Sequence, residues 1–164
     1  MSTNNKYTEV LFVGNKMTGK SSFISFAQTG IYFPKYRATT DIIITKIKIN
    51  DHTFACVDLD ISILKLVKKF NYNAAMIFCD IRVLNSITSI ESWILFIHRN
   101  IGSIPTVIVA TYFDEIESYM THLIYLHKIS KRVNLDFVLI SSFSGYSIQI
   151  PFDILDHKLM KNGI

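Results

Sequence analysis

The sequence predicts an α/β fold in which one doubly wound, mostly parallel sheet of six strands carries helices on both faces. Two observations predict it. Short runs rich in valine, isoleucine and phenylalanine alternate with longer segments whose apolar residues recur every three or four positions. The first of these runs continues into a glycine-containing loop and then into a helical segment, over residues 9–28. No linker or repeat divides the 164 residues, so we expect a single domain over residues 1–164.

The individual elements follow in order from these patterns. Five runs have the near-continuous apolar character of strands buried on both faces of a parallel sheet: 9–14, 53–58, 75–81, 106–111 and 137–141. Four segments have helical spacing of their apolar residues: 20–28, 86–100, 117–132 and 147–161. Residues 39–50 form a β-branched run that the turn residues 50–52 join to the second strand, which predicts a hairpin and one antiparallel edge strand.

Composition and charge exclude several classes of protein. With 49% hydrophobic and 18% charged residues, the chain is far too apolar for a disordered segment. The net charge of +4 is spread along the chain, so nucleic acid is not an expected partner. No apolar run approaches the roughly 18 residues that span a bilayer, and residues 1–8 lack the apolar stretch of a signal peptide. We therefore expect a cytoplasmic protein that reaches membranes, if at all, through a partner.

The cysteines indicate neither a metal site nor a disulfide. Cys56 and Cys79 lie inside apolar runs without CxxC spacing, which predicts buried, reduced thiols. Residues 158–164 contain no cysteine, so prenylation is not expected on the chain as given.

The loop after the first strand carries the strongest functional motif. Residues 14–21, Gly-Asn-Lys-Met-Thr-Gly-Lys-Ser, satisfy the phosphate-binding pattern GxxxxGK[ST] between a strand and a helix. Glycines at both ends let successive backbone amides point at phosphate oxygens, and the helix dipole adds positive potential. Lys20 is expected to reach the β- and γ-phosphates, and the Ser21 hydroxyl to bind Mg²⁺. The nucleotide-binding residues predicted in this region are Gly14, Asn15, Lys16, Met17, Thr18, Gly19, Lys20, Ser21 and Ser22.

An alternative interpretation is that the loop is inherited but no longer binds nucleotide. Lys16 and Met17 stand where related loops have small residues, and their side chains would crowd the space beside the γ-phosphate. Such crowding affects hydrolysis, which needs room for water and a catalytic partner, more than it affects binding.

Beyond this loop, the chain resembles a Ras-like small GTPase, and most closely the Rab branch, over nearly its whole length. Tyr32 lies where that family has an aromatic residue packed on the guanine, and residues 36–40, Tyr-Arg-Ala-Thr-Thr, resemble the first switch loop. Thr39 stands 18 residues after Ser21, which is the family's distance for the threonine that binds Mg²⁺ and senses the γ-phosphate. Residues 89–97, with Trp93, are similar to the Rab helix that follows the fourth strand.

The second switch region departs from the family. In the family, the third strand ends in Asp-x-x-Gly followed by a catalytic glutamine. In this chain, residues 58–62 are Asp-Leu-Asp-Ile-Ser. The resemblance implies that Asp58 belongs to the magnesium set with Ser21 and Thr39. Ile61 replaces the glycine, and no glutamine orients the attacking water, so no catalytic residue is assigned. Alternatively, Asp58 and Asp60 merely end a strand on a polar turn.

The base-reading loop keeps one of its recognition residues. In residues 110–114, Ala-Thr-Tyr-Phe-Asp, the resemblance implies that Asp114 accepts hydrogen bonds from guanine N1 and N2. Thr111 and Tyr112 replace the asparagine and lysine that brace this loop in the family. The alternative interpretation makes Asp114 an ordinary helix N-cap before residues 115–119.

The last predicted element of the base site is residues 140–143, Ile-Ser-Ser-Phe, which resembles the family's Ser-Ala-Lys. By this resemblance, Ser141 braces Asp114, and the backbone amide of Ser142 faces the guanine oxygen. Phe143 departs from the lysine.

Two functions from different classes remain open at this point. The first is a divergent Rab-like protein that binds GTP and GDP with Mg²⁺, hydrolyses GTP slowly or not at all, and acts through effectors in vesicle trafficking or its subversion. The second is a nucleotide-free scaffold or decoy that occupies trafficking partners. For the scaffold, the expected partner-binding face contains Tyr36, Ile61, Ile63 and Leu64.

Overall fold

The structure, a computed structural model, describes residues 7–34, 42–58 and 70–163. In this part of the chain, six strands form one sheet: β1 (Thr8–Gly14), β2 (Ile43–Ile49), β3 (His52–Asp58), β4 (Ala74–Asp80), β5 (Thr106–Thr111) and β6 (Phe137–Leu139). Their order is β2-β3-β1-β4-β5-β6, and only β2 runs antiparallel to its neighbour. The predicted doubly wound sheet with an antiparallel edge strand is confirmed.

Helices cover both faces of this sheet. They are α1 (Lys20–Thr29), α2 (Leu84–Thr88), α3 (Ile90–Asn100), α4 (Met120–Val133) and α5 (Ile150–Lys161), with a 3₁₀ helix at Phe113–Tyr119. Side chains alternate between the faces along β1: Phe12 packs with residues of α1 and α5, whereas Leu11 packs with residues of α2, α3 and α4. A parallel strand buried on both sides has little room for polar residues, which explains the apolar runs in the sequence.

Three predicted helix boundaries were wrong, and for two of them the structure shows a local reason. The helix expected over residues 86–100 is divided at Ser89, whose hydroxyl donates to the Asn85 carbonyl oxygen at 2.7 Å and so competes with the helical pattern. The helix expected from residue 117 begins with the 3₁₀ segment. The helix expected from Ser147 begins at Ile150, because Ser147 has a φ of +56°, which no α-helix accepts.

Both cysteines are buried and free, one in each of the two cores. Burial raises the pKa of the Cys56 thiol, and the nearby Asp58 carboxylate raises it further. Burial likewise raises the pKa of Cys79, with a smaller contribution from Asp80. The predicted burial of both thiols is confirmed.

The topology also determines where a site can form. The parallel strands β1, β3, β4 and β5 end side by side, so that Gly14, Asp58, Asp80 and Thr111 meet at one edge of the sheet.

Among the described residues, no helix is long and apolar enough to cross a lipid bilayer.

Candidate functional site

The loop between β1 and α1 depends on two glycines. At Gly14, φ is +146°, and a Cβ would lie 2.4 Å from the carbonyl oxygen of Phe78 on the neighbouring strand β4. At Gly19, φ is +82°, and a Cβ would lie 3.3 Å from the Thr111 side chain. Only glycine allows the chain to leave the sheet this tightly and enter the helix at once.

The interior of the loop is held by its own hydrogen bonds. The Thr18 hydroxyl donates to the Asn15 carbonyl oxygen at 2.8 Å. The Lys20 ammonium donates to the carbonyl oxygens of Gly14 at 3.1 Å and of Asn15 at 3.0 Å. No side chain caps α1, and its first turn has no acidic residue, so the amides and partial positive charge of the helix end face the same loop. The arrangement presents amide donors and an ammonium group, which suits a phosphate.

The two bulky loop residues lie at its rim. Met17 is 63% exposed and has a φ of +62°, a conformation that favours glycine. Lys16 is also exposed, and both side chains line the cleft described below. Neither side chain is folded into the core of the loop.

A hydroxyl and a carboxylate meet next to the loop. Ser21 Oγ donates to Asp58 Oδ2 at 2.9 Å, and Asp58 is only 1% exposed at the end of β3. Hydroxyl and carboxylate oxygens suit Mg²⁺, which takes few protein ligands and completes its shell with water and phosphate oxygens. The described residues contain no group of three or more histidine, cysteine, aspartate or glutamate side chains that could hold a metal by themselves.

Several predicted residues lie outside the described ranges. These are Thr39, the third member of the magnesium set, and the predicted partner-binding residues Tyr36, Ile61, Ile63 and Leu64, together with Asp60.

A cleft of about 740 Å³ opens above the loop. This volume lies within the range of about 300–1,000 Å³ that is common for small-molecule sites. The predicted residues that line it are Gly14, Asn15, Lys16, Met17, Thr18, Gly19, Lys20, Ser21, Ser22, Tyr32 and Asp58. On its other side, the cleft is bounded by Trp93 and Phe96 of α3.

The base-reading loop folds against β6 and the residues that follow it. Ser141 Oγ donates to Asp114 Oδ1 at 2.5 Å, which is the contact predicted for this pair. The alternative that Asp114 caps a helix is wrong, because the 3₁₀ helix begins at Phe113 and no side chain caps it. The carboxylate is therefore positioned by Ser141 rather than by a helix end.

A second cavity, of about 180 Å³, lies beside Asp114. Tyr32 and Phe143 line it and meet edge to face, with their ring centroids 5.6 Å apart. Ser142 also lines it, and the buried Ser142 hydroxyl has no hydrogen-bond partner among the described residues. The structure thus brings Tyr32, Asp114 and Ser142 together, as the resemblance implied.

A sequence model of the Ras family matches residues 9–161. The chain belongs to the Ras family. A search of curated proteins finds no significant match. Ras-family proteins are small GTP-binding proteins, so the family accounts for the strand–loop–helix start and for the carboxylates at the ends of β3 and in the base loop.

Within this Ras-family site, Thr111 has a role that the sequence did not reveal. The Thr111 hydroxyl lies 3.0 Å from the carbonyl oxygen of Thr18 and 3.1 Å from that of Cys79. It therefore ties the base loop to the phosphate loop and to β4, although it replaces the family's asparagine. The only signal in the sequence was a hydroxyl residue at the end of a buried strand.

The phosphate loop is also tied to α3. Trp93 Nε1 donates to Asn15 Oδ1 at 3.0 Å, and Asn15 Nδ2 donates to Ser89 Oγ at 3.2 Å. The sequence places Trp93 in the segment that resembles the Rab helix, and nothing in that segment indicates a partner for the indole nitrogen. The contact joins residues far apart in the chain, so no local pattern indicates it.

An arginine completes the rim of both cavities. The Arg82 guanidinium carbon lies 3.4 Å from the centroid of the Tyr112 ring, and both side chains line the larger and the smaller cavity. In the sequence, Tyr112 stands in place of the family's lysine, and Arg82 belongs to none of the motifs.

Proposed function

We propose that this Ras-family chain is a Rab-like protein that binds GTP and GDP with Mg²⁺, hydrolyses GTP slowly or not at all, and acts through effector proteins in vesicle trafficking or its subversion. The observation that carries the proposal is that the two cavities are neighbours with shared lining residues. Gly19 and Ser22 of the phosphate-loop region line both of them, as does Tyr32, and Asp114 lines the smaller one. A phosphate group at the loop and a base at the carboxylate therefore share one binding region.

In this proposal, each group has a distinct role. Backbone amides of residues 14–21 and the Lys20 ammonium bind the phosphates, for which Lys20 exchanges its bonds to the loop carbonyls. Ser21 and Asp58, with Thr39, hold Mg²⁺, which supplies neutralisation of the phosphate charge. Asp114 accepts hydrogen bonds from the N1 and N2 positions of guanine, and these donors are absent from adenine.

Slow or absent hydrolysis follows from the residues after Asp58. Attack on the γ-phosphate requires a positioned water, and a partner's arginine accelerates the reaction only where such a water is held. The sequence has Ile61 in place of the glycine and no glutamine beside it. Binding without rapid turnover points to a function carried by partner recognition. The Rab assignment rests on Trp93 and the residues around it in α3.

The nucleotide-free scaffold is the competing function, and one observation favours it. The Lys20 ammonium donates to two carbonyl oxygens of its own loop and lies 3.4 Å from the Thr18 hydroxyl. Phosphate binding has to compete with these contacts within the loop, which favours a protein that only presents a surface.

The nucleotide content of the purified protein separates the two functions. The protein is denatured, the released small molecules are resolved by ion-exchange chromatography, and the assay is repeated after incubation with EDTA and excess GTP, GDP or ATP. Guanine nucleotide near one per chain supports the proposal. A protein that takes up none of the three supports the scaffold.

A matched pair of lysine variants tests the site itself. Lys20→Ala is expected to abolish nucleotide binding and to preserve the fold, whereas Lys128→Ala, which removes an exposed lysine of α4, is expected to bind as the wild type does. Equal affinity of both variants would show that the loop is vestigial or that the ligand binds elsewhere.

A further inference from the structure

The Arg82 side chain is held in place by two carboxylates. Its Nη2 and Nε atoms donate to the two oxygens of Asp80 at 2.9 and 3.0 Å, and its Nη1 atom donates to Glu115 at 2.9 Å. Asp80 is only 4% exposed, so the two-point contact is shielded from water. The hydrogen bonds to Asp80 raise the pKa of Arg82 further. The guanidinium is therefore a fixed, flat cation rather than a mobile surface group.

The plane that this cation meets is the Tyr112 ring. A distance of 3.4 Å from the guanidinium carbon to the ring centroid is van der Waals contact, which leaves no room for another group on that face. Tyr112 has a φ of +66°, a strained conformation that is unusual for a bulky residue. Such a backbone persists only where its surroundings hold it, and the stacked arginine is one such contact.

The Tyr112 ring and the Arg82 side chain both border the smaller cavity, whose other walls include Asp114, Ser142 and Phe143. Because Arg82 covers one face of the ring, a planar ligand in this cavity has only the other face for stacking. A cation on one face draws electron density away from the opposite face, which favours stacking of an electron-rich base there. A base that stacks on Tyr112 would therefore lie against the face that Arg82 leaves open.

We infer that Arg82 is a positioning residue for base binding: it holds the Tyr112 ring as the platform on which the nucleotide base stacks. The inference rests on the proposed nucleotide-binding function and adds to it a residue outside the recognised motifs. Arg82 also lines the larger cleft, but it makes no described hydrogen bond to the phosphate loop or to the predicted magnesium ligands, so we expect it to act mainly on the base.

The test compares a ligand with a base and one without it. Affinities for GDP and for pyrophosphate are measured by calorimetry, with Mg²⁺ and stripped protein, for the wild type and for Arg82→Gln. We expect GDP binding to weaken about tenfold and pyrophosphate binding to stay unchanged. The matched control is Arg132→Gln, which breaks an exposed ion pair with Glu91 on the helical surface and is expected to alter neither affinity.

Two further variants separate positioning from folding. Because Arg82→Gln leaves the buried Asp80 carboxylate without its cation, Arg82→Lys is measured in parallel; it keeps the charge but lacks the flat guanidinium, and it is expected to weaken GDP binding as well. Tyr112→Phe keeps the ring and is expected to bind GDP like the wild type. Adding Arg82→Gln to Tyr112→Leu is expected to cause no further loss, because the platform is already absent.

Specific results would overturn the inference. If Arg82→Gln and Arg82→Lys bind GDP as tightly as the wild type, or more tightly, the arginine does not position the base and instead blocks it or is irrelevant. An equal loss for pyrophosphate would show general damage to the site. A wild-type protein without affinity for GDP would refute both this inference and the proposed function, whereas wild-type binding that Arg82 variants leave unchanged would refute only the inference.

Discussion

Replacing Gly14 with alanine tests the closest backbone approach at the start of the phosphate loop. The β1–β4 ladder pairs Gly14 with Phe78, and a Cβ at Gly14 would lie 2.4 Å from the Phe78 carbonyl oxygen. Ordinary contact begins at 3.4 Å, so the new methyl group would be 1.0 Å too close to an atom of the sheet backbone. Because that oxygen belongs to a central strand, it cannot rotate away as a side chain would.

The expected cost of Gly14→Ala has two parts. Holding alanine at a φ of +146° costs about 1–3 kcal/mol. Forcing a methyl group into a packed site costs about 1–3 kcal/mol more. The sum, about 2–6 kcal/mol, is a large share of the about 5–15 kcal/mol that stabilises an ordinary domain.

Urea unfolding of matched alanine variants separates the two parts. Gly102 has a φ of +116° with nothing within 4 Å of its Cβ position, and Gly30 has a φ of +70° with the same open space. Alanine at these positions adds backbone strain without a clash. We expect Gly14→Ala to lower the free energy of unfolding by at least about 1 kcal/mol more than either control. A difference below about 0.5 kcal/mol, the usual error of such comparisons, would refute the close approach of β1 and β4.

Two further predictions follow from buried side chains. Trp93 is the only tryptophan and donates to Asn15 of the phosphate loop, so adding GDP and Mg²⁺ to stripped protein is expected to change the tryptophan fluorescence. Asn15→Ala is expected to reduce that change. Constant emission of the wild type would contradict the coupling between the phosphate loop and Trp93. Burial raises the pKa values of Cys56 and Cys79, so above their unfolded pKa of about 8.5 the unfolded chain binds fewer protons than the folded one. Stability measured by urea unfolding should therefore fall by about 1.4 kcal/mol per thiol at pH 9.5 relative to pH 7.5, and equal values would argue against burial.

The sheet could be predicted because its information is local. A strand buried on both faces is an uninterrupted apolar run, and residues 106–111 were predicted with the bounds that the structure has. The phosphate loop could be predicted for the same reason, since its glycines, lysine and serine are contiguous. Helix ends were less predictable, because Ser89 and Ser147 break the pattern through a side-chain hydrogen bond and a left-handed backbone.

The base site was predictable only in part. Asp114 and Ser141 were paired by resemblance, and their contact is present. Thr111 replaces the family's bracing asparagine, and its shorter side chain bonds to the Thr18 carbonyl oxygen. Whether the Thr111 hydroxyl reaches the Thr18 carbonyl oxygen depends on the distance between the base loop and the phosphate loop. That distance cannot be derived from the amino-acid sequence of either loop.

By itself, therefore, the sequence determined the order of strands and helices, the phosphate-loop motif and the missing glutamine, because each is written in neighbouring residues. The tertiary structure decided that Trp93 bonds to Asn15 and that Arg82 stacks on Tyr112. Asn15, Arg82 and Tyr112 lie in loops that follow three different strands, and Trp93 lies in α3. They meet because the parallel strands end at one edge of the sheet, and their contacts depend on distances and side-chain conformations that the order of residues does not specify.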